Sequence, residues 1–125
     1  MILLTVEQVI YLHKQMINVT GGLAGLRDLG QLEAALNVPF QTYAGEELYP
    51  SLFGKAARLC YGLIQNHAFL DGNKRIGIYA MLVFLEVNNA AIACTDEELV
   101  SLGLAVAAGK MNDREILSWL LAHKK

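Results

Sequence analysis

Apolar residues recur at helical spacing along most of this 125-residue chain, and polar or glycine-rich stretches interrupt them. The first helical segment, Val6 to about Asn18, is expected to end there because two glycines follow. Thr5 and Gln8 form a capping box at its start. A short second helix, Gln31 to Leu36, follows Asp28, which can cap it. The first part of the chain is therefore predicted to hold two helices joined by a glycine-rich loop.

Four more helices are predicted after residue 50. The fourth helix of the chain, Gly72 to about Val87, takes Asp71 as its predicted N-cap. Its interior, IGIYAMLVFL, is apolar on nearly every side, so this helix is expected at the centre of a bundle. The third helix is predicted to begin after Ser51 and to end at about Asn66. The fifth begins at the capping box of Thr95 and Glu98 and ends at Gly109. The sixth begins at the capping box of Asn112 and Glu115.

The segment Phe40 to Pro50, FQTYAGEELYP, lacks a helical period and carries Gly45 near its centre. It is predicted to form a loop or a short β-hairpin, and we call it the flap. These patterns together predict an all-α fold, a compact bundle of about six helices that carries the flap. The whole chain, residues 1–125, is expected to be one domain.

Composition argues against several classes of protein. Apolar residues make up 54% of the chain and charged residues 18%, which excludes intrinsic disorder. The longest apolar run, Ile76 to Leu85, is too short to cross a bilayer, and the N-terminal MILLTVEQV shows no export signal. We therefore expect a cytoplasmic protein that has no membrane partner. A net charge of −2 disfavours direct binding of nucleic acid, which usually requires a basic excess.

The stretch HAFLDGNKR, His67 to Arg75, concentrates polar chemistry between the third and fourth helices. The fourth helix begins here, and the unpaired N–H groups and positive dipole end of a helix N-terminus favour phosphate. Gly72 lets a ligand approach the backbone closely, and Asn73 adds an amide donor. Lys74 and Arg75 are disfavoured by the helix dipole alone, so their presence indicates that an anion binds at the same end.

Two further residues of this stretch suggest a reaction. Asp71 supplies the hard oxygen ligand that Mg²⁺ prefers, and magnesium usually accompanies phosphates. His67 carries an imidazole, the side-chain type best suited to proton abstraction near neutral pH. A base, a metal ligand and a phosphate cradle together indicate transfer of a phosphate-containing group to a hydroxyl. The alternative is a catalytically silent helical binding module, in which the same residues only cap a helix.

Three polar residues elsewhere receive structural interpretations. His13 lies on the apolar face of the first helix and is expected to be a core or boundary histidine. Arg27 and Asp28 are expected to take part in capping and salt bridging, with shaping of the active-site rim as the alternative. Neither His13 nor Arg27 is assigned a chemical role.

The stretch from His67 to Arg75 resembles the signature of Fic-domain proteins, HxFx[DE]GNGRxxR, and fits HxFx[DN][AG]NKR of their death-on-curing (Doc) branch at every specified position. The segments GGLAGLRDLGQLEAAL and GEELYPSLFGKAARL also look Doc-like, so the resemblance covers most of the chain. It implies that His67 is the catalytic base and Asp71 the metal ligand. It implies that Gly72, Asn73, Lys74 and Arg75 bind phosphate, with ATP and Mg²⁺ as the bound cofactors.

The resemblance also implies a protein target. Fic proteins align a target chain by strand addition along a segment that corresponds to the flap. In this sequence that segment comprises Thr42, Tyr43, Ala44, Gly45, Glu46, Glu47 and Leu48. The known Doc target is a threonine of elongation factor Tu, and phosphorylation of that threonine stops translation.

Two departures from the Fic pattern bear on the reaction. Lys74 replaces a glycine that leaves room for nucleotide phosphates, and Ile78 stands where a second arginine would be. Typical Fic enzymes transfer AMP, whereas the altered Doc turn is associated with reversed ATP that delivers its γ-phosphate. The lysine adds volume and charge where the distal phosphates would lie. We therefore favour a Doc-type protein kinase over an AMP transferase, which remains the alternative on the same fold.

Regulation is expected to come from another protein. Many Fic enzymes carry an inhibitory helix with the pattern [ST]xxxE[GN], which this sequence lacks; Thr42 to Glu46 comes closest. Doc proteins are neutralised by a small antitoxin encoded beside them. The resemblance thus implies a Phd-like antitoxin partner, a short segment of which docks largely by apolar contact in a groove.

Overall fold

The computed structural model describes all residues from Met1 to Lys125 and shows a helical bundle with one small hairpin. The predicted all-α bundle of about six helices is confirmed. None of the helices combines the length and apolar character needed to cross a bilayer. The elements are α1 Val6–Thr20, α2 Leu29–Asn37, a 3₁₀ turn Val38–Phe40, β1 Thr42–Tyr43, β2 Glu46–Glu47, α3 Leu52–Gln65, α4 Asn73–Val87, α5 Asp96–Ala107 and α6 Asp113–Ala122.

Side-chain caps begin every helix except α4. The predicted caps are confirmed, and in each case the cap side chain accepts a hydrogen bond from a backbone N–H of the first helical turn. A cap of this kind stabilises a helix by about 1 kcal/mol. The capping residues are Thr5, Asp28, Ser51, Thr95 and Asn112.

The predicted cap of α4 is wrong. Gly72, in the left-handed conformation with φ of 74°, occupies the N-cap position, and no side chain bonds to the first turn. The carboxylate of Asp71 instead accepts hydrogen bonds from the N–H groups of Leu23 and Gly72. The Leu23 N–H, which competes for this carboxylate, belongs to the loop after α1. A local sequence pattern does not reveal so distant a donor.

The centre of the bundle is α3, whereas the apolar pattern predicted α4. Ten of the 14 residues of α3 are buried, and α3 contacts α2, α4, α5 and α6. Gly77 brings α4 close to α3, because a Cβ at this position would lie 2.5 Å from Cγ1 of Ile64. α4 also packs against α1 and α5, but its side that includes Ile78 and Leu82 is only partly buried and borders an open groove. An all-round apolar helix can therefore indicate an open groove as well as a central position.

The flap contains an antiparallel hairpin, which confirms the second of the two structures predicted for it. Thr42 pairs with Glu47, and Tyr43 pairs with Glu46. The two connecting residues, Ala44 and Gly45, both have positive φ, at 52° and 82°. Positive φ at both central positions is the turn geometry that matches the twist of a two-residue hairpin.

A histidine–glutamate pair joins the end of α6 to the start of α5. Nε2 of His123 lies 2.8 Å from Oε2 of Glu98, and its Nδ1 lies 2.7 Å from the carbonyl oxygen of Trp119. The Trp119 carbonyl and then the Glu98 carboxylate raise the pKa of His123 above its usual 6.5. The Thr95 N–H and then the His123 bond lower the pKa of Glu98 below its usual 4.5. The pair therefore favours the charged forms of both groups.

These pKa shifts predict a pH-dependent stability. The raised His123 pKa stabilises the folded chain fully below pH 6.5, and this contribution is lost as pH rises through the raised value. The lowered Glu98 pKa contributes above pH 4.5 and is lost as pH falls through the lowered value. Both contributions are complete between pH 4.5 and pH 6.5. The melting temperature of wild type minus that of His123→Gln should therefore be largest in this window and shrink towards pH 9. A difference that stays constant from pH 5 to pH 9 would contradict the pairing.

Candidate active site

The polar residues singled out in the sequence meet in one cavity between the end of α3 and the start of α4. Its volume is about 360 Å³, and Ile64, Leu70 and Ala107 form its apolar part. The rest of the lining consists of every residue predicted for the base, the metal and the phosphate site: His67, Asp71, Gly72, Asn73, Lys74 and Arg75. The structure thus brings the predicted residues together, while their chemical roles stay predictions.

His67 lies in the turn that follows α3. Its ring is exposed, and its backbone adopts a left-handed conformation with φ of 49°, which is uncommon for a residue other than glycine. Only its carbonyl oxygen is bonded within the chain, to the Arg27 side chain. The ring nitrogens of His67 therefore have no partner within the chain.

The N-terminus of α4 presents unpaired backbone donors to the same cavity. The N–H groups of Asn73, Lys74 and Arg75 have no partner within the chain, because no side chain caps this helix. All other helices of the fold have a side-chain cap. Free N–H groups at the positive end of a helix dipole favour an anion such as phosphate, as the sequence predicts for this turn.

The side chain of Asn73 supports the turn itself. Its Oδ1 accepts from the N–H of Phe69 at 3.1 Å, and its Nδ2 donates to the carbonyl of Phe69 at 3.0 Å. One amide hydrogen of Asn73 remains without a partner in the chain, so a side-chain bond to phosphate stays a prediction. The ring of Phe69 is buried and stacks on His13, with 3.9 Å between the ring centroids.

His13 is buried, as the sequence predicts, and it also contacts the turn. Its Nε2 lies 2.8 Å from the carbonyl oxygen of Asp71, in addition to its stacking on Phe69. The position of His13 on the apolar face of α1 correctly indicated burial. Its contact with a turn 58 residues away carried no signal in the sequence.

Asp71 is held in place by the backbone. Its Oδ2 accepts from the N–H of Leu23 at 3.0 Å, and its Oδ1 accepts from the N–H of Gly72 at 2.8 Å. These two bonds, with the Arg75 cation beyond them, lower the pKa of the Asp71 carboxyl. Gly22 makes the arrangement possible, because a Cβ there would overlap Oδ2 of Asp71. The carboxylate is therefore ionised and oriented near neutral pH.

The donors present fit a magnesium ion that is shared with phosphate. The side chain of Asp71 is 43% exposed, and each of its oxygens accepts one protein hydrogen bond, so further lone pairs can reach a cation. No group of three or more His, Cys, Asp or Glu residues forms a metal cage in this chain. Magnesium commonly binds through one or two carboxylates together with substrate phosphates and water, which is what Asp71 can provide.

The two cations of the turn are placed differently. Lys74 is exposed and its ammonium group has no bond within the chain. The guanidinium of Arg75 donates to the carbonyl of Gly21 at 2.8 Å and to the Thr20 hydroxyl, and lies 3.8 Å from Asp71. Lys74 is therefore a free charge at the cavity, whereas Arg75 is already oriented by the end of α1.

An apolar groove adjoins this cavity between α1, α4 and α5. Its volume is about 460 Å³, and Lys74 and Arg75 line both spaces. Its apolar lining includes side chains from all three helices, namely Met16, Ile78, Tyr79, Leu82, Leu99, Val100 and Leu104. Val100 and Leu104, one turn apart on α5, are more than half exposed, at 62% and 54%, and so extend the exposed apolar surface of the groove.

A buried lysine holds the flap against α3. The side chain of Lys55 is 2% exposed, and its Nζ donates to Oε1 of Glu47 at 3.0 Å and to the carbonyl of Tyr49. The sequence pattern did not predict this contact. The available signal was a lysine within the apolar stripe of the third helix, a position that requires a partner when it is buried.

Lys55→Met is expected to loosen the flap more than it destabilises the bundle. The methionine keeps most of the buried volume, but the Tyr49 carbonyl loses its donor, at a cost of about 1–2 kcal/mol. Exchange of the Leu48 amide, which bonds to the Gln41 carbonyl, should accelerate in hydrogen-exchange measurements. Lys110→Met, at an exposed lysine, is the matched control. Equal Leu48 exchange in the wild type and Lys55→Met would exclude the anchoring role.

Comparisons with known proteins agree on one group of relatives. The sequence profile of the Fic/DOC family matches residues 3–85. The chain is 44% identical over 73 residues to a protein of Mycolicibacterium smegmatis named Toxin Doc, a match that covers 58% of this chain and 56% of that protein. It is 32% identical over 106 residues to the protein of Escherichia phage P1 named Protein kinase doc, covering 85% of this chain and 82% of the phage protein. The chain thus spans little more than half the length of the mycobacterial relative.

Proposed function

This chain belongs to the Fic/DOC family, and from that premise we propose that it is a toxin that transfers the γ-phosphate of ATP to a hydroxyl of a target protein. The proposal rests on one observation above all. A histidine, a carboxylate and the uncapped N-terminus of α4 with two cations converge on a single cavity of about 360 Å³. The names of both relatives, a toxin and a protein kinase, support the same function.

The free N–H groups of Asn73, Lys74 and Arg75 are proposed to bind the phosphates of ATP. The Lys74 and Arg75 cations would neutralise the negative charge that spreads over the transferred phosphoryl group. The backbone N–H donors are fixed by the helix before any ligand arrives, so they require little reorganisation during the reaction.

His67 is proposed to accept the proton of the target hydroxyl as the phosphoryl group moves to that oxygen and ADP leaves. The neutral imidazole is the form that can accept this proton. Asp71 would hold magnesium, which supplies positive charge to the phosphate oxygens when it is bound. Asp71 is ionised at neutral pH because N–H donors and the Arg75 cation lower its pKa.

Lys74 supports the choice of phosphate transfer over AMP transfer. Its side chain is exposed at the start of α4, it has no partner in the chain, and it borders both the cavity and the groove. A charged side chain at this place occupies space that a smaller residue would leave to the distal phosphates. A reversed nucleotide that presents its γ-phosphate to the hydroxyl avoids that conflict.

The flap is proposed to bind the target, which by resemblance is elongation factor Tu, in the cytoplasm. The hairpin has only two short strands, so its outer edges are open to pairing by another chain. Phosphorylation of the target would stop translation. Exposed Tyr43 adds an aromatic surface for such a contact.

The apolar groove between α1, α4 and α5 is proposed to bind a Phd-like antitoxin. Its exposed leucine and valine side chains can pack against the apolar face of an amphipathic helix from a small protein partner. Lys74 and Arg75 border both the groove and the cavity, so a segment seated in the groove would reach the phosphate site. Binding there would block the toxin directly.

The proposed function is tested with ATP labelled at either the α- or the γ-phosphate. The chain is incubated with magnesium and purified elongation factor Tu, and label on the target protein is measured. Label from the γ position supports the kinase, and label from the α position would show an AMP transferase instead. Absence of transfer to elongation factor Tu and to all proteins of a bacterial lysate would favour a binding module without catalysis.

A further inference from the structure

Arg27 makes an unusual set of contacts for an exposed arginine. Its Nε donates to the carbonyl of His67 at 2.6 Å, and its Nη2 donates to the carbonyl of Asn66 at 3.2 Å. No carboxylate lies within ion-pair distance of its guanidinium. The planar donor fork, which usually binds an acid or water, is used here on two neighbouring backbone oxygens.

The two carbonyls belong to a turn that needs external support. α3 ends at Gln65, and the last carbonyls of a helix have no partner within the helix. His67 then adopts a φ of 49°, a left-handed conformation that is strained for a residue other than glycine. Such a conformation persists only where surrounding contacts determine it, and Arg27 provides contacts to the strained residue itself.

Arg27 is itself fixed by backbone pairing with the same turn. Its N–H donates to the carbonyl of Ala68 at 2.7 Å, and the N–H of Leu70 donates to the carbonyl of Gly25 at 3.1 Å. Leu26 and Phe69 form an isolated antiparallel bridge between these bonds. The guanidinium therefore extends from a segment that is already docked, and it reaches the two residues just before the docked part.

We propose that Arg27 is a positioning residue that holds His67 at the mouth of the catalytic cavity without touching the substrate. This inference rests on the proposed role of His67 as the general base. Loss of the guanidinium would free the Asn66 and His67 carbonyls and let the turn relax. A displacement of about 1 Å at a catalytic group can lower a rate by about 10²-fold, so the effect should appear in turnover.

The test compares Arg27→Met and Arg27→Lys with Arg114→Met, a control at an exposed arginine of α6 whose side chain makes no bond. With γ-labelled ATP, Arg27→Met should lower kcat by about 10-fold to 10²-fold and leave KM for ATP within about two-fold of wild type. Arg27→Lys should be intermediate, because an ammonium keeps the charge but not the fork geometry. Should Arg27→Met fail to fold, Arg27→Lys decides the question.

A second measurement does not depend on activity. The NMR order parameter of the His67 amide should be near 0.85 in wild type and fall below about 0.6 in Arg27→Met. Unchanged kcat in both Arg27 variants, or an equal loss in Arg114→Met, would overturn the inference. If the wild type itself transfers no phosphate, the proposed function fails, and the order parameter alone then tests whether Arg27 holds the turn. In that case a rigid His67 amide in Arg27→Met would overturn the positioning role of Arg27.

Discussion

His67→Ala is expected to lower the rate of γ-phosphate transfer by roughly 10²–10⁴-fold, because the target hydroxyl loses its general base. The melting temperature should stay close to that of wild type, since the His67 ring is exposed and only its carbonyl is bonded within the chain. Binding of Mg·ATP should also persist, because the phosphate donors lie on α4. The measurement is single-turnover transfer with γ-labelled ATP, together with thermal unfolding.

Two further variants separate the loss of the base from backbone effects. His67→Asn removes the imidazole, and asparagine tolerates the left-handed φ that His67 adopts. It should be as inactive as His67→Ala. His123→Gln changes a histidine outside the cavity and should retain transfer when it is assayed at a pH where it is folded. Wild-type activity in either His67 variant would show that this residue is not the base.

Lys74→Gly is expected to reduce γ-phosphate transfer by about 10²-fold, an effect typical of removing one preorganised charge-stabilising group. The ammonium group of Lys74 has no bond within the chain, so its loss removes no hydrogen bond or ion pair from the fold. Glycine within the helix costs up to about 1 kcal/mol relative to alanine. Lys74→Ala therefore serves as the companion variant and should lose transfer to a similar extent.

The position of the label tells what Lys74 does. If Lys74 selects the nucleotide orientation, label from α-labelled ATP should rise relative to γ-label in Lys74→Gly. If Lys74 contributes charge alone, both kinds of transfer should be low. Unchanged γ-transfer in Lys74→Gly and Lys74→Ala would refute the role assigned to this lysine, and Lys110→Met controls for loss of an exposed lysine elsewhere.

Local sequence signals predicted the helices well because their causes are local. A cap such as Thr5 or Asn112 bonds to a backbone N–H three residues ahead, within the same short stretch. The hairpin also follows from local chemistry, since Gly45 favours the positive φ of its turn. The stretch from His67 to Arg75 was recognisable for the same reason, because its donors share one helix end.

The errors arose where a distant segment supplies the partner. Asp71 looked like a cap, but the Leu23 N–H, 48 residues earlier, competes for its carboxylate. Arg27 was expected to form salt bridges, and it instead bonds to carbonyls about 40 residues away. α4 was expected at the centre, because an apolar side that faces an open groove has the same pattern as one facing the core. In each case the deciding contact depends on tertiary structure.

Binding of magnesium–ATP to the isolated chain is the most direct test of the account. Isothermal titration of Mg·ATP should give one site with a Kd between about 1 μM and 1 mM, a range typical of enzyme substrates. The affinity should fall in Lys74→Ala and should depend on magnesium in the wild type but much less in Asp71→Asn. Absence of binding for both Mg·ATP and Mg·GTP at millimolar nucleotide would contradict the claim that the uncapped start of α4 is a triphosphate site.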